Sequence, residues 1–229
     1  MNKLFKIAAL ACTLTLGFTA CDKDDEQPLE QEQEYQAKVM VKDGETKDLA
    51  EVSTTINTEG TIARAGSVYA LRNFRQFTIG EDGKATTTAA TDFYFDFKEN
   101  DGTNAAATPV IIPATTAAKL IANVEKGYTL YYIDKAFEEV TAEDNFLAAA
   151  ENTLGLQSQY APNVIGWANY TGSPNHQVVP VAGRTIVIFK GEKPYFKFRI
   201  NSVYSNGAPE KEVAPTNYFY YSIDYQEFQ

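Results

Sequence analysis

Residues 166–206 read GWANYTGSPNHQVVPVAGRTIVIFKGEKPYFKFRINSVYSN, and this stretch decides the fold class. Its run from Arg184 to Phe189 is apolar and β-branched, the composition of a buried strand. Lys190-Gly-Glu-Lys-Pro194 interrupts it with turn residues. After the turn, Phe196, Phe198 and Ile200 alternate with Tyr195, Lys197 and Arg199, the period of two of an antiparallel strand with one wet face. The stretch therefore predicts a β-hairpin. The loop ahead of it carries the single Trp of the chain, Trp167, and its single His, His176.

The same period recurs on both sides. Towards the C-terminus, Gly207 to Pro215 is a charged, Pro-flanked loop, and Tyr218 to Phe228 places Phe219, Tyr221, Ile223 and Tyr225 on one face of a closing strand. Towards the N-terminus, Phe93, Phe95 and Phe97 alternate with Tyr94, Asp96 and Lys98. Further β-type runs are expected at 37–41, 52–56, 61–65, 68–79, 110–112 and 127–133. Asp43-Gly44, Glu59-Gly60 and Gly80 to Gly83 are expected as turns between them. Two short helices are expected, an Ala-rich one over Thr115 to Val124 and one over Thr141 to Leu154. In the latter Thr141 is the N-cap, acids fill the first turn, and Phe146, Leu147 and Ala150 have helical spacing. The fold class is a mainly antiparallel β domain, sandwich-like or a curled sheet, with one or two short helices.

Residues 1–20 read as a targeting segment. Lys3 and Lys6 precede an apolar run, Ile7 to Phe18, that is too short to span a bilayer. Phe18-Thr-Ala-Cys21 resembles the lipobox of bacterial lipoproteins, with Cys21 as the lipidated residue. Asp22-Lys-Asp-Asp-Glu26 is similar to the acidic signal that sends Bacteroidetes lipoproteins to the outer face of the outer membrane. The expected organisation is a lipoprotein signal peptide over 1–20, a disordered acidic tether over 21–34, and one β domain over 35–229. Membrane contact would be through the lipid anchor alone.

Composition excludes several chemistries. The chain has 2 Cys, and Cys12 and Cys21 both fall in the first 21 residues, leaving no thiol for disulfides or catalysis in the domain. Thirty acidic against 20 basic side chains give a net charge of −10, which argues against nucleic acid as a partner. One His does not build an imidazole metal site. No G-x-S-x-G elbow occurs, and no carboxylate pair is marked by its context. The expectation is a protein that is not an enzyme. Ligand binding is the better class. Tyr and Phe number 14 each, and Tyr160, Tyr170, Tyr195, Tyr204, Tyr218, Tyr220, Tyr221 and Tyr225 cluster late in the chain.

Trp167 followed by Tyr170, the Gly/Ser/Pro loop, Gly183-Arg184 opening an apolar hairpin, Tyr204 closing it and the aromatic last strand together resemble the HmuY-like haem-binding lipoproteins of Bacteroidetes. The resemblance covers about the last sixty residues. It implies a surface-exposed lipoprotein that binds haem or a related porphyrin without a covalent bond and passes it to a TonB-dependent outer-membrane receptor. An ungapped match puts the family's loop ligand at Gly172, with His176 four residues on. On this reading His176 is the axial ligand, Trp167 and Tyr170 are pocket walls, and the other axial position is filled by water, a Tyr or nothing. The alternatives are a relative without haem ligation that binds a glycan or a host protein, and a surface adhesin or assembly component.

Overall fold

The computed structural model describes residues 35–55, 57–90, 92–113, 119–158 and 161–229. The leader, Cys21, the tether and Tyr160 lie outside the described residues, as do 115–118 of the expected Ala-rich helix.

Residues Gln36–Gln229 form one unit built on two β-sheets. The first has nine strands: β1 (Thr46–Asp48), β2 (Thr58–Ala65), β3 (Val68–Ile79), β16 (Tyr218–Glu227), β15 (Lys193–Tyr204), β14 (Arg184–Lys190), β9 (Tyr128–Asp134) and β10 (Leu147–Ala148) lie side by side in that order, and β4 (Ala85–Ala89) pairs with β3. The second runs β13 (Val178–Pro180), β12 (Gly166–Tyr170), β11 (Thr153–Gln157), β8 (Leu120–Ala122), β7 (Val110–Ile112), β5 (Phe93–Asp96) and β6 (Asp101–Gly102). Every pairing is antiparallel except β11 with β12. The fold is mainly β, with curled antiparallel sheets stacked on one core, as the sequence predicts.

The predicted alternations supply that core. Phe93 and Phe95 of β5 and Phe97 in the turn after it face inward onto Phe74, Phe198, Tyr221 and Tyr225 of the first sheet, with ring centroids 4.8–5.8 Å apart. Edge-to-face and offset rings at this spacing add to the burial of their apolar area. Arg184 joins the two sheets from the start of β14. Its guanidinium donates to Asp134 at 2.7 and 2.9 Å, to the Gly166 carbonyl at 2.6 Å and to Gln157 Oε1 at 3.3 Å.

Several expectations need correction. Residues 141–154 are not a helix. The Asp144 carboxylate accepts the Thr141 N–H at 2.8 Å and pairs with Lys135, the chain turns, and Leu147–Ala148 pair with Tyr132 and Tyr131 on the edge of β9. Glu151 and Asn152 have φ near 52°, which no right-handed helix accommodates. Covering an open strand edge outweighs a local helical preference. Likewise the end of the expected 115–124 helix is β8 followed by a single 3-10 turn, Val124–Lys126. The one α-helix among the described residues is α1 (Leu49–Val52), capped by Asp48 Oδ1 on the Ala50 N–H at 2.9 Å.

Of the strand expected over 52–56, the described residues 52–55 are not a strand either. Ser53 and Thr54 turn their hydroxyls, and Thr54 its N–H, onto the Asp101 carboxylate, which is 1% exposed. Hydroxyls that hydrogen-bond locally compete with the ladder. Residues 37–41 keep the expected alternation, with Val39 and Val41 buried, but attach through isolated bonds to Glu99 and Asn100 in place of a ladder. Glu59-Gly60 is not a turn but a point inside β2. Gly60, at φ +120°, leaves room for a bulge in β3, because a Cβ there would sit 2.8 Å from the Arg72 carbonyl oxygen.

Candidate functional site

The loop 171–177 connects β12 to β13 and closes on itself. The His176 N–H donates to the Gly172 carbonyl at 2.7 Å, Thr171 N–H donates to Gln177 O at 2.9 Å, and the Gln177 N–H returns to Thr171 Oγ1 at 2.9 Å. His176, at φ 51°, therefore folds back over Gly172. The four-residue offset between them in sequence is closed by one turn of chain.

A second loop, 208–217, braces the first. Ala214 N–H donates to Asn175 O at 2.8 Å, and Gln177 Nε2 donates to Glu212 O at 2.7 Å. At the head of β16 the Tyr218 hydroxyl donates to His176 O at 2.6 Å. The bracing loop is itself held by Glu210, whose carboxylate accepts from the Thr216 N–H and hydroxyl and from the Asn217 N–H. Desolvation works against the ionised form, but those donors outweigh it and hold the carboxyl down at about 2.

The imidazole of His176 is exposed, and its Nδ1 is hydrogen-bonded to the hydroxyl of Tyr170 at the end of β12. Nε2 has no hydrogen-bond partner among the described residues. In the tautomer in which Nδ1–H donates to the phenol oxygen, the lone pair on Nε2 is the one open for coordination. Aromatic groups lie nearby: the half-buried Tyr170 ring is 5.9 Å from the imidazole, and the buried Tyr204 and half-buried Tyr218 rings pack tilted against each other with centroids 5.1 Å apart. The Tyr204 hydroxyl accepts the Val178 N–H at 2.7 Å, fixing β13 under the loop. Burial pushes the Tyr204 phenol up, and the Tyr218 phenol up to about 12.

The structure thus brings two of the three expected site residues together, His176 and Tyr170. Trp167 belongs to the core instead: it is 2% exposed, with Ala168 buried beside it on β12. Tyr218 and Tyr204 were legible as part of the late tyrosine cluster but not as neighbours of the imidazole. The bracing role of Glu210 leaves no local sequence signal, since its partners are six and seven residues away on a loop without regular structure. Among the described residues no group of three or more His, Cys, Asp and Glu side chains converges.

A single exposed imidazole, hydrogen-bonded through Nδ1 to the Tyr170 phenol, is chemically compatible with holding a haem iron through Nε2. Comparison of the chain with family models, with curated proteins and with solved structures gives no match.

Proposed function

We propose that this chain is a non-catalytic, lipid-anchored capture protein that binds haem or a related porphyrin at the His176 loop and delivers it to a TonB-dependent outer-membrane receptor. The observation that carries the reading is the Tyr170 hydroxyl on His176 Nδ1, which leaves Nε2 as the open ring nitrogen on an exposed loop braced from three sides. His176 would hold the group, Tyr170 would orient the imidazole, and the faces of Tyr170 and Tyr218 would cover part of the macrocycle. When bound, the iron supplies a Lewis-acid centre for the imidazole; the protein contributes orientation and apolar cover. The resemblance of residues 166–228 to HmuY-like lipoproteins, the Cys21 lipobox and the acidic run after it support the anchored, outward-facing location.

The test compares ferric haem with metal-free protoporphyrin as quenchers of the single Trp fluorescence. Coordination through His176 predicts that haem binds at least about 10-fold more tightly, the factor that about 1.4 kcal/mol of metal–ligand interaction would produce. Equal affinities would remove coordination from the account.

A further inference from the structure

The backbone of His176 lies in the left-handed region, at φ 51°. Non-glycine residues seldom adopt that conformation, so bonds from outside the residue must hold it there. They act on the two peptide groups that flank its Cα. In the peptide before it, the His176 N–H donates to the Gly172 carbonyl at 2.7 Å, and the Asn175 carbonyl accepts the Ala214 N–H at 2.8 Å. In the peptide after it, the His176 carbonyl accepts the Tyr218 hydroxyl at 2.6 Å, and the Gln177 N–H donates to Thr171 Oγ1 at 2.9 Å. All four backbone groups are therefore occupied. Gly172 and Thr171 belong to the histidine's own loop, whereas Ala214 and Tyr218 reach it from the 208–217 loop and the head of β16.

One side chain places those two outer partners. Glu210 Oε1 accepts the Thr216 N–H and hydroxyl at 2.7 and 2.9 Å, and Oε2 accepts the Asn217 N–H at 3.1 Å. The Glu210 N–H donates to Asn217 Oδ1 at 3.2 Å, and Asn217 Nδ2 donates to the Ala208 carbonyl at 2.9 Å. The two stems of the loop are thus tied together, with Ala214 between them and Tyr218 immediately after. Ala214 is itself left-handed, at φ 47°, so the closing bonds hold the loop against the backbone preference of its residues. The contacts run from the Glu210 carboxylate through Thr216 and Asn217 to Ala214 and Tyr218, and from these to the two peptides that set the direction of the imidazole.

A ligating imidazole that is fixed in advance loses less freedom on binding, which favours affinity. We infer that Glu210 is a positioning residue for His176: its carboxylate closes the 208–217 loop so that Ala214 and Tyr218 clamp the peptides on both sides of the histidine. The clamp rests on the hydrogen bonds, and its consequence for affinity rests on the reading of His176 as the haem ligand. A glutamine at 210 has nearly the same shape but offers one oxygen and one NH2 group. Its NH2 would face the N–H of Thr216 or of Asn217, donor against donor, and a bond would be lost. Glu210 is exposed, so that exchange leaves the core untouched.

The experiment compares the full chain with Glu210→Gln by two measurements. The first needs no haem: the chain has one His, so nitrogen NMR of the neutral ring reads a single tautomer equilibrium. The wild type is expected to show a dominant Nδ1–H tautomer, and Glu210→Gln the averaged shifts of a mixture. The second is the affinity for ferric haem and for metal-free protoporphyrin, read by quenching of the single Trp. Glu210→Gln should lower haem affinity about 10-fold, the lower end of what loss of a partner orienting a ligand costs, and leave protoporphyrin affinity unchanged. Tyr218→Phe, which removes the donor on the His176 carbonyl and leaves the loop stems intact, should reproduce both effects. In a His176→Ala chain Glu210→Gln should change neither affinity. A wild type that binds haem no more tightly than protoporphyrin would overturn the haem reading, and the ring resonances would then decide the clamp alone. Ring resonances unaltered by Glu210→Gln, equal loss of both affinities, or an unaltered haem affinity where the wild type prefers haem would each overturn the role of Glu210.

Discussion

Replacing Arg184 by Met should weaken the link between the two sheets, at a cost that follows from the geometry. The Arg184 side chain is 8% exposed, while Asp134, which it grips with two hydrogen bonds, is 61% exposed. Asp134 would regain water once the guanidinium is gone, so the ion pair itself contributes no more than about 1 kcal/mol. The larger loss is the charged hydrogen bond to Gly166 O at 2.6 Å, together with the packing over the Tyr132 ring at 4.8 Å. A hydrogen bond from a charged donor contributes about 1.5–3 kcal/mol. The sum is about 1.5–4 kcal/mol, which in a domain of this size corresponds to a fall in Tm of about 3–16 °C. Asp134→Ala, by contrast, should cost less than about 1 kcal/mol, because water reaches that side of the guanidinium. Urea unfolding followed by circular dichroism gives both values. An Asp134→Ala chain as destabilised as Arg184→Met would show that the exposed ion pair, and not the link to Gly166, holds the sheets together.

Three further outcomes are expected. Tyr225→Phe should lose about 1–3 kcal/mol in urea unfolding, because the Tyr225 hydroxyl donates to Asn100 Oδ1 at 2.7 Å in the core and its removal leaves a buried acceptor without a partner; a change below about 0.5 kcal/mol would mean that the bond contributes nothing net. Burial first, then neighbouring carboxylates, push the phenols of Tyr94 and Tyr195 up to about 12, and burial does the same at Tyr218. Their pKa is higher folded than unfolded, so the stability they contribute is complete below pH 10 and is lost as pH rises towards 12, which thermal melts across that range should follow as a falling Tm; a flat or rising Tm would contradict it. Tyr170→Phe should weaken haem binding about 10- to 100-fold while leaving Tm within about 2 °C, as loss of a partner that orients a ligating His does elsewhere; unaltered affinity would remove Tyr170 from the site.

The strands that sequence alone located are those in which packing and periodicity agree. Residues 68–79 and 110–112 are strands over the expected bounds, the strand expected over 184–189 runs one residue further to Lys190, and Phe93, Phe95 and Phe97 have one parity and one core to enter. Sequence reading failed where a long-range partner overrode a local preference. The Thr141 to Leu154 pattern is a good amphipathic helix until the bare edge of β9 is beside it, and Ser53-Thr54 is a good strand until the Asp101 carboxylate is beneath it. At the candidate site, the imidazole and Tyr170 were visible because they are six residues apart on one strand-loop junction. The pairing of Arg72 with Asp224 was not, because the two meet across 152 residues of sequence. One sign of the irregularity beside it was present: Leu71-Arg-Asn-Phe74 spaces two core residues three apart, where a regular strand would space them two or four apart, which marks a bulge.

Haem capture through a solitary imidazole is tested most directly by absorbance titration of the full chain with ferric haem, alone and as His176→Ala. The account predicts a saturable shift of the Soret band at one haem per chain that disappears in the substituted protein. A wild-type chain that leaves the Soret band of free haem unaltered, or a shift that survives His176→Ala, would contradict it.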